Sequence, residues 1–219
     1  MYHYVEDKVF LSGLRTRCGR ILQSTCHILK KDFDIGASFS LVGSGARNLI
    51  TQNDNQSIDL DYNIQIVRCK DFNDCRWLKE CVRKALNQAL QCHGEHDCRD
   101  SRSVLTSKWM DIQYFSLCPR IVPTIDLCIV MEKDGHTYRL IHKKTGWSVS
   151  DQYYWNEAPS SKIVQKKAND IKNHGMWYLV REAYLDIKNM YLSRNDQNHP
   201  SFICYAEAVH RVYNARKTR

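Results

Sequence analysis

The chain has 219 residues, a formal charge of +8 from 32 lysines and arginines against 24 aspartates and glutamates, and 43% hydrophobic residues. This composition excludes a disordered chain, and the low counts of four prolines and nine glycines exclude collagen-like and low-complexity architectures. No stretch approaches the roughly 20 apolar residues that a membrane-spanning helix needs, so we expect no membrane partner. The length fits one large domain or two small ones with a sizeable core.

The N-terminal segment and the cysteines predict an intracellular, cytoplasmic protein. Charged and aromatic residues over 1–10 interrupt the apolar run that a signal peptide requires. The ten cysteines are therefore expected to be reduced thiols rather than a disulfide framework. The positive charge favours a polyanionic partner such as a nucleotide or a nucleic acid, but it fits equally well a protein whose basic charge only keeps it soluble.

The first half of the chain predicts a helix, two strands and a second helix. Apolar residues recur at helical spacing in both helices, and the longer strand alternates strictly between apolar and polar residues. In chain order, these elements are a helix over 14–31, a strand over 38–42, a strand over 57–67 and a helix over 74–91.

The second half predicts two more strands and then helices. A Cys/His-rich loop, an extended segment, a strand, a hairpin turn and another strand are expected over 92–100, 103–115, 124–131, 133–135 and 136–142. Three helices are then expected over 160–173, 176–193 and 201–216. This order predicts an α+β protein with a helical part that starts near residue 150. We divide the chain into a core over 1–148 and a C-terminal helical region over 149–219.

Asp59 and Asp61 are the first candidates for chemistry. They lie two residues apart on the strand 57–67, and since strand side chains alternate, both carboxylates project from its polar face. Two adjacent carboxylates repel each other unless a cation or a proton lies between them. A divalent metal such as Mg²⁺, which prefers hard oxygen ligands, is the simplest solution. The alternative is a solvated polar face on an edge strand.

Asp126 repeats this pattern on the strand 124–131, where apolar residues flank it on both sides. If this strand pairs beside the first one, three carboxylates converge, which suits a two-metal site for phosphoryl-type transfer. A solvated position explains Asp126 less well than it explains Asp59 and Asp61.

Gly43 and Ser44 form a turn directly after the strand 38–42. Glycine lets backbone amides approach a phosphate, and the serine hydroxyl can donate a hydrogen bond to it. Turns of this composition are common, so the pair gains weight from the carboxylates that follow it.

Three motifs carry a family resemblance, namely Gly43-Ser44-x-Ala46-Arg47, Asp59-Leu60-Asp61 and the strand-borne Asp126. Together they resemble the nucleotidyltransferase superfamily typified by DNA polymerase beta, and the first motif is similar to that of small bacterial and antibiotic-modifying members. The resemblance covers about residues 14–131. Fourteen residues separate Ser44 from Asp59, and Asn48 stands where the compact members have glycine, which leaves the subgroup open.

The resemblance implies a polymerase-beta-like core, with a mixed sheet and flanking helices, followed by a C-terminal helical region. It implies that Asp59 and Asp61 hold Mg²⁺ with the triphosphate of an NTP. It also implies that Asp126 completes a second Mg²⁺ site and helps to deprotonate the acceptor hydroxyl. Gly43 and Ser44 would bind the β- and γ-phosphates. The implied reaction is transfer of a nucleoside monophosphate with release of pyrophosphate.

Arg47, Lys162 and Lys166 are further candidates for phosphate binding. The guanidinium fork of Arg47 suits a phosphate, but an arginine at this position equally well braces the turn or pairs with a carboxylate. Lys162 and Lys166 share a face at the start of the first C-terminal helix, and superfamily members often present a basic residue from these helices. The alternative for each lysine is a solvated helix face.

Three other features leave alternatives open. The aromatic segment 153–155 could stack a nucleobase or form core at the junction. Apolar residues of the last two helices fit either core or a dimer surface. Four zinc-type ligands crowd into seven residues, which strains tetrahedral closure and favours free thiols and solvated histidines. These are Cys92, His93, His96 and Cys98.

The sequence therefore predicts a Mg²⁺-dependent nucleotidyltransferase with an NTP donor. The acceptor stays open among a small molecule, a nucleotide, an RNA end and a protein hydroxyl, and the charge favours a nucleotide or RNA. One alternative is a catalytically inactive nucleotide- or RNA-binding module of the same fold. Against it, all three aspartates are present together with the Gly-Ser turn. A second alternative is a nucleic-acid adaptor built around a zinc knuckle.

Overall fold

The computed structural model describes residues 1–54, 56–108, 123–196 and 199–217. Its elements are, in chain order, β1 (Tyr2–Tyr4), α1 (Lys8–Phe33), β2 (Gly36–Leu41), α2 (Gly43–Arg47), β3 (Thr51–Asn53), β4 (Ile58–Arg68), α3 (Cys75–Cys92), β5 (Arg99–Asp100), β6 (Leu105–Lys108), β7 (Pro123–Lys133), β8 (His136–Lys143), β9 (Gln152–Glu157), α4 (Lys162–Asn173), α5 (Trp177–Ser193) and α6 (Ser201–Lys217). No helix in these ranges is both long and apolar enough to cross a membrane.

Seven strands form one mixed sheet. β4 pairs in parallel with β7, and the other pairs of this sheet are antiparallel. β2 lies beside β4 on its outer edge, and β6 and β8 share the edge of β7 that β4 leaves free. A parallel pair needs a crossover connection, which α3 supplies between β4 and β7. β4 and β7 therefore lie side by side in the interior of the sheet.

The strict alternation along β4 separates a buried face from a cleft face. Every second residue from Ile58 to Ile66 is buried, and these residues pack in one core with the apolar sides of α1 and α3. The polar residues between them face away from that core. The alternation that predicted the strand thus also decides which side of the sheet packs in the core and which side lines the cleft.

A second hydrophobic core holds the C-terminal helices together. Its buried residues come from α4, α5 and α6, and Leu49, which follows α2, inserts among them. The helical part predicted from the sequence is therefore anchored next to the Gly-Ser segment.

Several elements differ from the sequence-based expectations. α1 begins at Lys8 rather than at residue 14, because Asp7 caps it by accepting a hydrogen bond from the Phe10 amide at 2.9 Å. The expected turn after β2 is instead the first part of the short helix α2. β1 and β3 form a small two-stranded sheet that was not predicted, and β9 extends the main sheet to Glu157. Of the extended segment expected over 103–115, β6 is observed, and residues 109–115 lie outside the described ranges.

Candidate active site

The polar face of β4 and β7 brings the three predicted carboxylates together. Asp61 and Asp126 are register partners in the parallel pair, so their backbones run side by side at the usual strand spacing of roughly 4.8 Å. Asp59 lies two residues before Asp61 on β4, so its side chain projects from the same face. All three side chains line one cleft, as the alternation of the two strands predicts.

Gly43 lets the Asp61 carboxylate lie against the backbone of α2. Its φ of +62° lies in the left-handed region, and a Cβ built on it would be 2.1 Å from Oδ2 of Asp61. The Val42 amide also donates to the backbone oxygen of Asp61 at 2.8 Å. The glycine is thus required both by the turn and by the close approach of the aspartate.

The charges in this cleft are crowded. Burial and, to a smaller extent, the neighbouring carboxylates of Asp126 and Asp59 together raise the pKa of Asp61 to about 6, against weaker opposing effects of Arg47 and Arg139. Burial also raises the pKa of Asp126. Ionised carboxylates in this arrangement are poorly compensated by the protein, and a bound cation would relieve the repulsion.

The cleft has a volume of about 1210 Å³ and is lined by strands of the sheet, by α2 and by the C-terminal helices. Seven of the eight predicted site residues line it, namely Gly43, Ser44, Arg47, Asp59, Asp61, Asp126 and Lys162. Lys166, the eighth, is exposed one turn further along α4 and is not part of the lining.

The side chain of Arg47 contacts both α2 and α6. Its Nη1 donates to the backbone oxygen of Gly43 at 2.8 Å, and its guanidinium lies 4.4 Å from the ring centroid of Tyr205 on α6. Both contacts hold the short helix α2 in place, which is the bracing role that the sequence left as an alternative to phosphate binding.

Two basic residues of the cleft were not identified from the sequence. Lys188 on α5 is half-buried, and its Nζ donates to Oγ1 of Thr51 at 2.8 Å and lies 4.0 Å from the ring centroid of Tyr2. Burial lowers the pKa of this lysine. Arg139 on β8 is exposed in the cleft and close enough to Asp61 to affect its pKa. Neither residue belongs to a motif. Their positive charge was therefore the only feature of the sequence that could have pointed to a role in the cleft.

Two threonines of the sheet donate hydrogen bonds to the carboxylates. Thr124 donates to Oδ1 of Asp59, and Thr106 donates to Oδ1 of Asp126 at 2.6 Å. These contacts cross between strands, so they depend on a register that the sequence does not reveal.

The aromatic segment 153–155 lies in β9 rather than in the cleft. Trp155 donates from Nε1 to the backbone oxygen of Phe72 at 2.7 Å, and Tyr153 stacks on His142 with 4.2 Å between ring centroids. Tyr153 and Trp155 pack against the main core, and none of the three aromatic residues lines the cleft. This arrangement corresponds to the core alternative for the segment.

The Cys/His-rich segment 92–98 follows α3. Cys92 is exposed, whereas Cys98 is buried and its amide donates to the side chain of Asn87. Within the described ranges, no group of three or more His, Cys, Asp or Glu side chains is arranged to hold a metal ion by itself.

The donor set of the cleft nevertheless suits Mg²⁺. This ion keeps several waters and binds through one or two carboxylates together with substrate phosphates, rather than in a complete protein cage. Asp59, Asp61 and Asp126 offer hard oxygen ligands in the cleft beside Gly43 and Ser44. The raised pKa of Asp61 reports the negative charge that such a cation would neutralise.

Comparisons with known proteins identify the fold. No family model and no curated protein matches the sequence. Among solved structures, the chain is similar to the CdnE cyclic dinucleotide synthase of Elizabethkingia meningoseptica with GTP and Apcpp (TM-score 0.51, 14% identity, 89% of this chain and 67% of the other). It is also similar to E. coli MS115-1 CdnC with ATP (0.54, 14%, 93% and 61%) and to the 3′-deoxy ATP bound form of Vibrio cholerae DncV (0.51, 14%, 85% and 62%).

The chain thus spans about two thirds or less of the length of these three solved chains. All three have the polymerase-beta-like nucleotidyltransferase fold. The predicted fold, an α+β core with a mixed sheet and flanking helices, is confirmed.

Proposed function

From the polymerase-beta-like fold and its acidic cleft, we propose that the protein transfers a nucleoside monophosphate from an NTP to an acceptor hydroxyl and releases pyrophosphate. One observation carries this proposal. Asp61 and Asp126 are register partners on adjacent strands, with Asp59 on the same face and Gly43-Ser44 directly beside them. Carboxylates gathered beside a Gly-Ser segment in one cleft are what phosphoryl-type transfer requires.

Asp59, Asp61 and Asp126 would hold Mg²⁺ in this proposal. When bound, the metal would neutralise charge on the triphosphate and on the departing pyrophosphate. Two ions are expected from the family resemblance, and the crowding of three carboxylates in one cleft supports that number.

The other roles belong to residues of the chain itself. Ser44 would donate its hydroxyl to a triphosphate oxygen, and Gly43 lets the Asp61 carboxylate lie against the backbone beside Ser44. Lys188 and Lys162 add positive charge to the wall from the helical side. Asp126 would help to deprotonate the acceptor hydroxyl, since its carboxylate lies in the cleft beside the proposed metal site.

The acceptor that we propose is a second nucleotide. The cleft volume of about 1210 Å³ exceeds the roughly 300–1,000 Å³ that is usual for a single small-molecule ligand. The similar CdnE is a cyclic dinucleotide synthase with two nucleotide ligands. Arg139 offers an exposed cation in the cleft for the phosphate or the base edge of such an acceptor.

Pyrophosphate release tests the reaction. The purified protein is incubated with Mg²⁺ and each NTP, alone and in pairs, and with a total RNA and small-metabolite extract. We expect release by the wild type and none by Asp59→Asn or Asp61→Asn. Asp34→Asn is the matched control, because Asp34 is exposed and has a left-handed backbone that asparagine also adopts. Products of the paired reactions identify a nucleotide acceptor.

Three outcomes decide between the hypotheses. Release by Asp59→Asn and Asp61→Asn at the wild-type rate would place the active site elsewhere. Tight Mg²⁺-dependent NTP binding without release, with every acceptor offered, would favour the inactive binding module. The absence of both release and Mg²⁺-dependent NTP binding would contradict a nucleotide-related function.

A further inference from the structure

The cleft face of the sheet contains a repeated pairing between threonine and aspartate. Along β4 and β7 the register sets Asp59 opposite Thr124, and along β7 and β6 it sets Asp126 opposite Thr106. In both pairs the threonine hydroxyl donates to Oδ1 of the aspartate on the neighbouring strand. The same contact thus occurs twice, on both edges of β7.

The two threonines are well placed to hold a carboxylate still. Thr124 is 3% exposed and Thr106 is half-buried, so their hydroxyls have little access to water, and a lost partner would be costly. Threonine is branched at Cβ and has a stiff χ1 in a strand, so the direction of its hydroxyl is set by the backbone. A hydroxyl fixed in this way fixes the plane of the carboxylate that accepts from it.

Each bond occupies one oxygen of a carboxylate. In Asp59 and in Asp126 the bonded atom is Oδ1, which leaves Oδ2 to face a ligand in the cleft. Asp61 is held differently, because its Oδ2 lies in the space beside Gly43. The three aspartates are therefore oriented by contacts from two strands, β7 and β6, and from the start of α2.

We propose that Thr124 and Thr106 are positioning residues, which orient the Asp59 and Asp126 carboxylates for a divalent cation by hydrogen bonds across β7. The inference rests on the proposed function for the identity of the ligand, and on the observed contacts for the role of the threonines. Groups that hydrogen-bond to metal ligands commonly change metal affinity about 10- to 100-fold when they are removed.

Mn²⁺ binding tests this role without turnover. Free Mn²⁺ is measured by electron paramagnetic resonance during titration of the wild type and of Thr124→Val, Thr124→Ser, Thr106→Val and Thr106→Ser. We expect each valine variant to bind Mn²⁺ about 10-fold more weakly or worse, and each serine variant to recover most of the affinity. Thr25→Val is the matched control, because Thr25 is buried in α1 and its hydroxyl donates to the Ile21 backbone oxygen, far from the carboxylates.

Thermal denaturation without metal separates positioning from folding. A merely structural role would lower the melting temperature of the valine variants as much as that of Thr25→Val and would leave Mn²⁺ affinity unchanged. That result, with an active wild type, overturns the inference and leaves the proposed reaction standing. A wild type that binds Mn²⁺ and releases no pyrophosphate, with weakened binding in the valine variants, overturns the reaction and supports the positioning role. A wild type that binds no Mn²⁺ overturns both.

Discussion

Asp61 illustrates, at the scale of a single residue, that a site can be built at the expense of stability. Its pKa is raised to about 6 by burial and by the two neighbouring aspartates, against a usual value of 3.8. The folded protein therefore keeps the Asp61 proton up to about pH 6, whereas the unfolded chain releases it near pH 4. Stability from this group is complete below pH 4 and is lost as the pH rises through 6.

We therefore predict that Asp61→Asn raises the melting temperature of the metal-free protein at pH 7.5. Asparagine keeps the shape of the side chain and removes a charge whose cost is of the order of 3 kcal/mol by the pKa difference. The gain over the wild type should shrink as the pH falls from 6 to 4. Melting curves in chelator at several pH values measure it. A variant that is less stable than the wild type at pH 7.5 would contradict the electrostatic explanation.

At the scale of secondary-structure elements, local patterns predicted most of what the structure contains. The alternation in β4 and the helical spacing in α3 depend on residues that are near in sequence, and both elements were predicted within a few residues. The three-residue strands β1 and β3 were missed, because each is too short for a pattern and their pairing joins segments about 50 residues apart. The Asp7 cap was an available signal for the start of α1 that was not used.

The active-site prediction has the same limit. Asp59, Asp61 and Asp126 could be predicted, because a motif and strand alternation both point to them. Thr124, Thr106 and Lys188 could not be predicted, since their places beside the carboxylates depend on strand register and on how α5 packs.

The division of the chain at residue 148/149 stays a prediction. The observed sheet continues through β9 to Glu157 before the first C-terminal helix begins at Lys162.

A buried polar cluster joins elements on the far side of the sheet. Lys79 of α3 is 1% exposed, and its Nζ lies 2.6 Å from Oδ1 of Asp100 and donates to the Ser101 backbone oxygen at 2.8 Å. The ring nitrogens of His142 on β8 lie 2.8 Å from the carboxylates of Asp100 and Asp151. The cluster thus ties α3, β5, β8 and the segment before β9 together.

We predict that Lys79→Met lowers the free energy of unfolding by about 3–5 kcal/mol, because it removes the buried ammonium that lies beside Oδ1 of the Asp100 carboxylate. Arg68→Met, which removes the exposed pair between Arg68 and Asp34, should have a much smaller effect, because solvent screens the interaction. Urea unfolding of both variants measures the difference. Equal losses in the two variants would show that burial does not decide the strength of these pairs.

At the scale of the whole molecule, the segment that follows α2 connects the C-terminal helices to the candidate site. Leu49 is 1% exposed and packs among residues of the three C-terminal helices, while its amide donates to the Ser44 backbone oxygen at 3.0 Å. Arg181 of α5 donates to the neighbouring Asn48 backbone oxygen, and Tyr4 donates to the Arg181 backbone oxygen at 2.6 Å. Packing of the helices is therefore transmitted to the turn beside the carboxylates.

We predict that Leu49→Ala lowers the free energy of unfolding by about 2–5 kcal/mol and also weakens NTP binding severalfold. Leu86→Ala, a substitution in the other core on α3, should cost a similar free energy and leave NTP affinity unchanged at temperatures where both variants are folded. Chemical unfolding and equilibrium binding of an NTP supply the two measurements. Equal NTP affinities in the two variants would show that Leu49 acts only through stability.

The parallel pairing of β4 with β7 also has a consequence during synthesis on the ribosome. Asp59 and Asp61 are made early, and β4 can pair with β2 as soon as both have emerged, but Asp126 is 65 residues further along the chain than Asp61. The acidic cluster exists only after β7 has been translated and has docked beside β4. A ligand that needs all three carboxylates would therefore bind only chains in which β7 has docked beside β4. Its binding energy would favour those molecules over less completely folded ones.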